Sequence, residues 1–404
     1  MRRSCHRLTP TPFYAIPGLV WAMMLPLANL SAQRGAPAPR VLGKPAAELS
    51  EPFTQVTAIR ELADGRVLVL DAQDKSIQVV DSRLATVTKV GREGRGPGEY
   101  SRPQQLVPGR GDSTLVYDVG AFRYLWLEPG GKPGGTVPLV LAGDAALSIP
   151  AIIRGFDPQG RMVFQTTGVT MKNGAPVFGD STPIVRRDLK GGKLDTIAYV
   201  HTGALAPKMS GSPTSGLKIS GTMPAFPTVD DWGVLPDGRI VVVRGKDYHV
   251  DVATSATSIL SLPAIPYERF KVTETDKEKM REATRKTREL ANKAIADAMS
   301  SVPKSQAPPK APTMTIDEPA SWPTEKPAFG QGAVTVAPNG RVWVRRHRAA
   351  SDTLPLYDVL DLKGRIESRV ALPFKGRIVG FGRSWMYVVR IDADDLEYLE
   401  RFKL

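Results

Sequence analysis

The chain has 404 residues, 42% of them hydrophobic, with 37 Gly, 35 Pro and a single Cys. That apolar content excludes a disordered chain, and so much Gly and Pro excludes a few long helices in favour of many short elements joined by turns. The formal net charge of +13 is spread along the chain, without a basic run or interleaved aromatics, which disfavours nucleic acid as a partner and favours simple solvation of the surface.

The N-terminus has the pattern of an export signal. Arg2, Arg3 and Arg7 form a basic head, residues 16–30 are an apolar run without a charge, and Ser31-Ala32-Gln33 offers a small-residue cleavage site after Ala32. The run is short for a membrane span, which needs about 20 residues, and Pro17 and Pro26 interrupt it. Residues 1–32 are therefore expected to be a signal peptide, and the mature protein to be periplasmic or extracellular. Cys5 lies before the apolar run, so cleavage leaves no thiol for a disulfide, a nucleophile or a metal site. A monomer without disulfides then depends on a sizeable core, which this length can supply.

After a polar leader, Arg40 to Gly43 form a short strand candidate and Phe53 to Ile59 a clearer one. A unit then recurs: a Gly turn, often followed by Arg, leads into an apolar strand. The copies are Asp64-Gly65-Arg66 before Val67 to Asp71, Gly111-Asp112 before Thr114 to Asp118, Gly160-Arg161 before Met162 to Phe164, Asp237-Gly238-Arg239 before Ile240 to Val243, Asn339-Gly340-Arg341 before Val342 to Val344, and a degenerate Gly382-Arg383 before Trp385 to Val388. Asp-Gly and Asn-Gly suit the positive φ of a tight antiparallel reversal. The continuous apolar strand after each turn indicates burial on both faces. One or two further strands follow each copy.

Four antiparallel strands repeated around an axis form the blade of a β-propeller. Six copies predict an all-β, six-bladed propeller with blade cores near 53–91, 103–140, 147–200, 226–263, 329–373 and 377–404. The sixth copy lacks an outer strand. The spare strand at 40–43 is expected to supply it, with Val41 and Leu42 beside Tyr398 and Phe402. A Gly/Pro/Ser-rich excursion occupies 202–227. A helical and Pro-rich insertion occupies 266–327, between blades four and five. Within it, Thr275 and Glu278 suggest a capping box, and Met280, Ala283, Thr287, Leu290, Ala294 and Ala298 a thin apolar stripe. Prolines 303 to 327 suggest an extended tether. A tolerated loop expansion is favoured over a lid on the channel.

The stretch Val90-Gly91-Arg92-Glu93-Gly94-Arg95-Gly96-Pro97-Gly98-Glu99-Tyr100-Ser101-Arg102-Pro103 resembles the inter-blade linker of NHL-type six-bladed propellers. Leu115 to Asp118 and Arg123 to Leu127 resemble the next blade of that family. The resemblance extends over 53–127, fades in later copies, and is nearest to exported bacterial six-bladed propellers. It implies a fold and no single activity. The linker lacks the Lys-Ser/Thr ending of a phosphate loop, and no helix follows it, so a joint between blades is expected. Arg92, Arg95, Glu99 and Tyr100 are its candidate ligand-binding side chains, facing the channel mouth.

No catalytic motif is present, and no cofactor or metal is expected. The leading function is therefore a binding module for a protein, peptide or glycan. The alternative is a metal-dependent hydrolase or lyase similar to propeller lactonases, with a divalent ion such as Ca²⁺ near the axis. Asp71, Asp118, Asp157, Asp231, Asn339 and Glu99 are its possible ligands, although carboxylates beside Gly turns also satisfy backbone amides. His201, His249 and His347 show no metal spacing and are expected to be ordinary surface or core residues.

Overall fold

The computed structural model describes residues 36–139, 150–172, 175–189, 192, 194–203, 208–211, 216, 218–222, 224–300, 310, 312–319 and 321–404. The expected signal peptide lies outside them. The described chain is a six-bladed β-propeller. From the axis outwards, blade one comprises Val56–Glu61, Val67–Asp71, Ser76–Val80 and Val87–Val90. Blades two, three and four begin with inner strands Pro103–Pro108, Pro150–Phe156 and Asp231–Val234, each joined antiparallel to three more. Blade five contains Val334–Val336, Val342–Arg345, Leu356–Leu360 and Ile366–Ala371, and blade six Gly376–Phe381, Trp385–Ile391 and Glu397–Lys403.

The second strands of blades one, two and three are buried at every residue, as their unbroken apolar pattern requires. Between neighbouring blades their side chains join separate apolar clusters. One of these packs Val241, Val243, Tyr248 and Phe329 against Val342 and Val344. The Gly turns of blades one, four and five share one geometry. In blades one and four, Asp64 and Asp237 each accept the amide of the second residue on, Arg66 or Arg239, at 3.0 Å, while Gly65 and Gly238 adopt φ +86° and +85°. In blade two, the turn Arg110–Asp112 reaches its neighbour, because the Asp112 carboxylate accepts the Ala63 amide at 2.9 Å.

Ring closure differs from the expectation. Residues Pro39–Val41 lie parallel to Arg369–Ala371, as a fifth strand on blade five. The outer strand of blade six is Ala47–Glu48, antiparallel to Glu400 and Arg401. The reason is burial. Val41 is 61% exposed, whereas Leu49 and Phe53 are sealed among Val56, Tyr387 and Leu399 between blades six and one. Amides of Ala46, Leu49 and Phe53 donate to carbonyls of Arg401, Leu399 and Glu397 at 2.8–2.9 Å.

The insertion is also more built than a tethered helix. Its helix is Glu274–Ser300 and its later half contributes the strand Thr313–Asp317. That strand runs parallel to Lys218–Thr222 of the excursion, so the two irregular stretches form one small sheet. The capping box is Thr273 with Asp276, each side chain bonded to the other's amide, two residues before the expected pair. Leu290, assigned to the apolar stripe, is 59% exposed, while Asp276 and Thr284 are buried. The side chain of Asn292 holds both backbone groups of Met314 at 2.9 Å, which fixes the helix to the strand.

If residues 46–53 close the ring, Phe53→Ala should lose about 3–5 kcal/mol in urea unfolding, as for other buried aromatic truncations. Val41→Ala should change stability by less than about 0.5 kcal/mol. Equal losses would contradict this closure.

Candidate functional site

The antiparallel order of each blade divides its loops between two ends. The Gly turns lie at one end. The turns between second and third strands, and the linkers to the next blade, lie at the other. The glycine-rich linker, the excursion and the insertion therefore share an end, where a rigid scaffold presents its variable segments.

In the glycine-rich linker, Arg92–Glu93 pair parallel with Glu99–Tyr100. The Gly91 φ of +62° and the proximity of the Gly98 carbonyl, 2.8 Å from where a Cβ would sit, leave room only for glycine. Tyr100 is fully buried. Its hydroxyl accepts the Ile77 amide at 3.0 Å and donates to the Val90 carbonyl at 2.8 Å. Glu99 accepts the Gly96 amide and Arg92 Nε, both at 2.7 Å, and these two donors hold its carboxyl below the usual range. Beneath the loop, Arg123 donates to the carbonyls of Arg95, Gly96 and Glu99. Of the four candidate side chains, Tyr100 thus points inward, Glu99 holds the loop together, and Arg92 and Arg95 are exposed.

The carboxylates considered as metal ligands bind backbone or arginine. Asp71 accepts the amides of Thr54 and Gln55 as the chain enters blade one, and Asp118 those of Ser101 and Arg102 entering blade two. Asp157 and Asn339 accept amides within their own turns. Asp231 accepts the Val334 amide at 2.8 Å and pairs with Arg154 at 3.0 Å. Burial raises its pKa despite that arginine. Among the described residues no three His, Cys, Asp or Glu side chains converge at metal-ligand spacing.

A different cluster forms where the insertion meets blade five. Residues 270–272 and 324–326 make a two-stranded stem, with Val272 donating to Thr324 O at 3.0 Å and Lys326 to Phe270 O at 2.8 Å. A cavity of about 400 Å³ lies between this stem and the 346–355 loop, lined by Lys326, Gly330, Gly332, Arg345, His347 and Arg348 among others. Its cations mostly have partners. Lys326 is buried against Asp276 and donates to Arg348 O at 2.7 Å. Arg348 pairs with Asp352 at 2.7 Å. Arg346 pairs with the fully buried Asp358 at 2.6 Å, which also takes Arg369 and the Tyr248 hydroxyl. Arg345 is exposed and has no carboxylate among the described residues.

His347 lies among these charges. Its Nδ1 is 3.0 Å from the Pro327 carbonyl, which can only accept, so Nδ1 carries the hydrogen and Nε2 the lone pair. Burial, aided by Lys326, Arg346 and Arg345, outweighs that hydrogen bond and lowers the ring's pKa from 6.5. The ring is therefore neutral at physiological pH. Nε2 faces Gly330, where a Cβ would sit 3.2 Å away. Neither His347 nor Arg345 stood out in the sequence. The signal was Arg345-Arg346-His347-Arg348, a short basic run that corrects the reading of the charge as spread without one. A larger cavity of about 660 Å³, lined by Phe226, Trp322 and several prolines, adjoins the small sheet.

No protein-family model matches the sequence, and no curated protein matches it. Solved structures resemble the chain weakly. A streptogramin B lyase is 14% identical over 88% of this chain and 85% of its own, with a TM-score of 0.38. The calcium-binding protein regucalcin from Agrobacterium tumefaciens is 12% identical over 90% and 95%, with a TM-score of 0.42. The PQQ-bound aldose sugar dehydrogenase from Streptomyces coelicolor is 14% identical over 90% and 100%, with a TM-score of 0.41. At such identities and scores these likenesses carry nothing about activity.

Two outcomes follow from the geometry. Tyr100→Phe should cost about 1–3 kcal/mol by stranding the Ile77 amide, whereas Arg92→Ala and Arg95→Ala should stay within about 0.5 kcal/mol in the same denaturation experiment. For His347, the unfolded chain binds a proton below its ordinary pKa of 6.5 while the folded ring resists one, so this residue costs stability on acidification. His347→Asn should accordingly lose less stability than the wild type between about pH 7.5 and about pH 5.5. An unchanged or steeper pH slope would contradict a neutral buried ring.

Proposed function

We propose that the protein is an exported, non-enzymatic binding propeller that holds its ligand at the linker-bearing end, in the cavity between the insertion stem and blade five. The observation that carries this reading is the combination of Arg345, which has no carboxylate partner among the described residues, with the neutral His347, on a rigid strand end and its loop, around a space of ligand size. The glycine-rich linker is left a structural role, because its buried tyrosine, its glutamate and its carbonyls are engaged within the loop. Export is supported by the leader pattern of residues 1–32. Among the described residues no helix is long and apolar enough to cross a membrane.

The competing reading is a metal-dependent hydrolase or lyase at the axis. Melting temperatures in millimolar Ca²⁺, Mg²⁺ or Zn²⁺ separate the two. A binding propeller should shift by less than about 1 °C with each ion. A rise of several degrees that Asp231→Asn abolishes would replace it with the metal-dependent reading.

A further inference from the structure

We infer that the cavity beside blade five is a site for a small hydroxy acid of the uronic-acid class, with the carboxylate on Arg345 and a neighbouring hydroxyl donating to His347 Nε2. This inference names the ligand class of the site proposed above and rests on that proposal.

The cavity offers two unused polar functions of opposite kind. Arg345 ends the second strand of blade five. Its backbone is fixed by pairing with Tyr357 and by donating to the Ala333 carbonyl at 3.0 Å, so its guanidinium projects from a rigid base. An exposed arginine alone means little. Here, however, Lys326 and Arg348 each pair with a carboxylate and Arg346 shares Asp358 with Arg369, whereas Arg345 is the cation of the cavity lining with no carboxylate among the described residues. A guanidinium in that position suits a planar carboxylate. The second function is an acceptor. His347 donates through Nδ1 to Pro327, and Nε2 has no partner among the described residues. Glycine at 330 keeps the space beside Nε2 from being filled by a side chain.

These two functions select among anions. Sulfate has only acceptor oxygens at neutral pH, which would set lone pairs against Nε2. A neutral sugar has nothing for Arg345. A carboxylate beside a neutral hydroxyl satisfies both groups at once. A volume of about 400 Å³ is adequate for one acidic sugar unit.

The test is isothermal titration of the full mature chain with D-glucuronate, a tri-uronide, glucose and sulfate. The expected result is saturable binding of glucuronate, of the tri-uronide or of both, with none for glucose or sulfate. Binding of the monomer alone indicates a free acid as ligand, and tighter binding of the tri-uronide indicates a polymer. Arg345→Gln should weaken the uronate at least about tenfold. His347→Asn, which can keep the donor to Pro327 while losing the acceptor, should also weaken it several-fold. Melting temperatures of both variants near that of the wild type exclude unfolding as the cause. Uronate binding that survives Arg345→Gln, or no binding of either uronate, overturns the inference. If sulfate binds instead, and Arg345→Gln removes it, the ligand class is wrong but the cavity remains a binding site. If nothing binds, the binding-propeller reading is still decided separately by the metal melting comparison.

Discussion

Blade six ends the chain with three strands, and its fourth comes from residues 47–48, more than three hundred positions earlier. That pairing covers the outer edge of Glu397–Lys403 with a strand of only two residues, as propellers leave short, protected edges. The join is held by more than the two ladder residues. Leu49 and Phe53 enter the cluster between blades six and one, and full burial of such side chains contributes about 1.5–3 kcal/mol each. Glu397 accepts the Val56 amide at the start of the first inner strand and pairs with Arg377 on the last inner strand. Arg390 bridges Glu48 and Glu400 across the same seam. With both chain ends fastened into one blade, the inner strands are held in place and length can vary only in loops. Both long departures from blade size, the excursion and the insertion, accordingly leave from linkers at the same end.

The blades were legible because their signals are local. Asp237-Gly238-Arg239 specifies a turn through its own carboxylate, its own positive φ and its own arginine, and the buried strand follows directly. The closing strand was not legible. Ala46-Ala47-Glu48 has neither alternation nor β-branched residues, and its pairing is decided by partners at the far end of the chain. The helix cap was displaced for a related reason. Thr275 and Glu278 fit the local rule, but Asp276 is held by Lys326 from the other leg of the stem, and that tertiary contact selects Thr273 as the cap. At the linker the local signal reports backbone geometry. The glycine-rich linker is conspicuous in sequence because its backbone geometry is demanding, and the same demand engages Tyr100 and Glu99 within it. The tautomer and neutrality of His347 depend on Pro327, Lys326 and Arg346, which no spacing rule brings together.

A repeated scaffold must break its own symmetry to make one site, and a single repeated position shows how. Six residues after the turn glycine, blade one has Asp71, and at the same strand end blade two has Asp118. Both accept the amides of the chain arriving at the inner strand. Counted from Gly238 and Gly340, the matching positions in blades four and five are Arg244 and Arg346. The polarity of the contact is inverted there. Arg244 pairs with Asp230 on the arriving chain, and Arg346 donates to the Ala328 carbonyl. The linker is held in either case, because a backbone offers both donors and acceptors. The sign of the charge left at that end of the blade changes, however. In blade four the arriving Asp230 balances the arginine. In blade five the arriving chain brings a carbonyl, so the balancing charge has to come from Asp358, buried behind the strand. That arrangement directs the negative charge inward and leaves the open side of blade five to Arg345, Lys326 and Arg348. Asp276 and Asp352 neutralise two of these. The residual positive charge is that of Arg345, one residue before the repeated position, and the insertion stem encloses it by bringing Lys326 and Asp276 over the same loop.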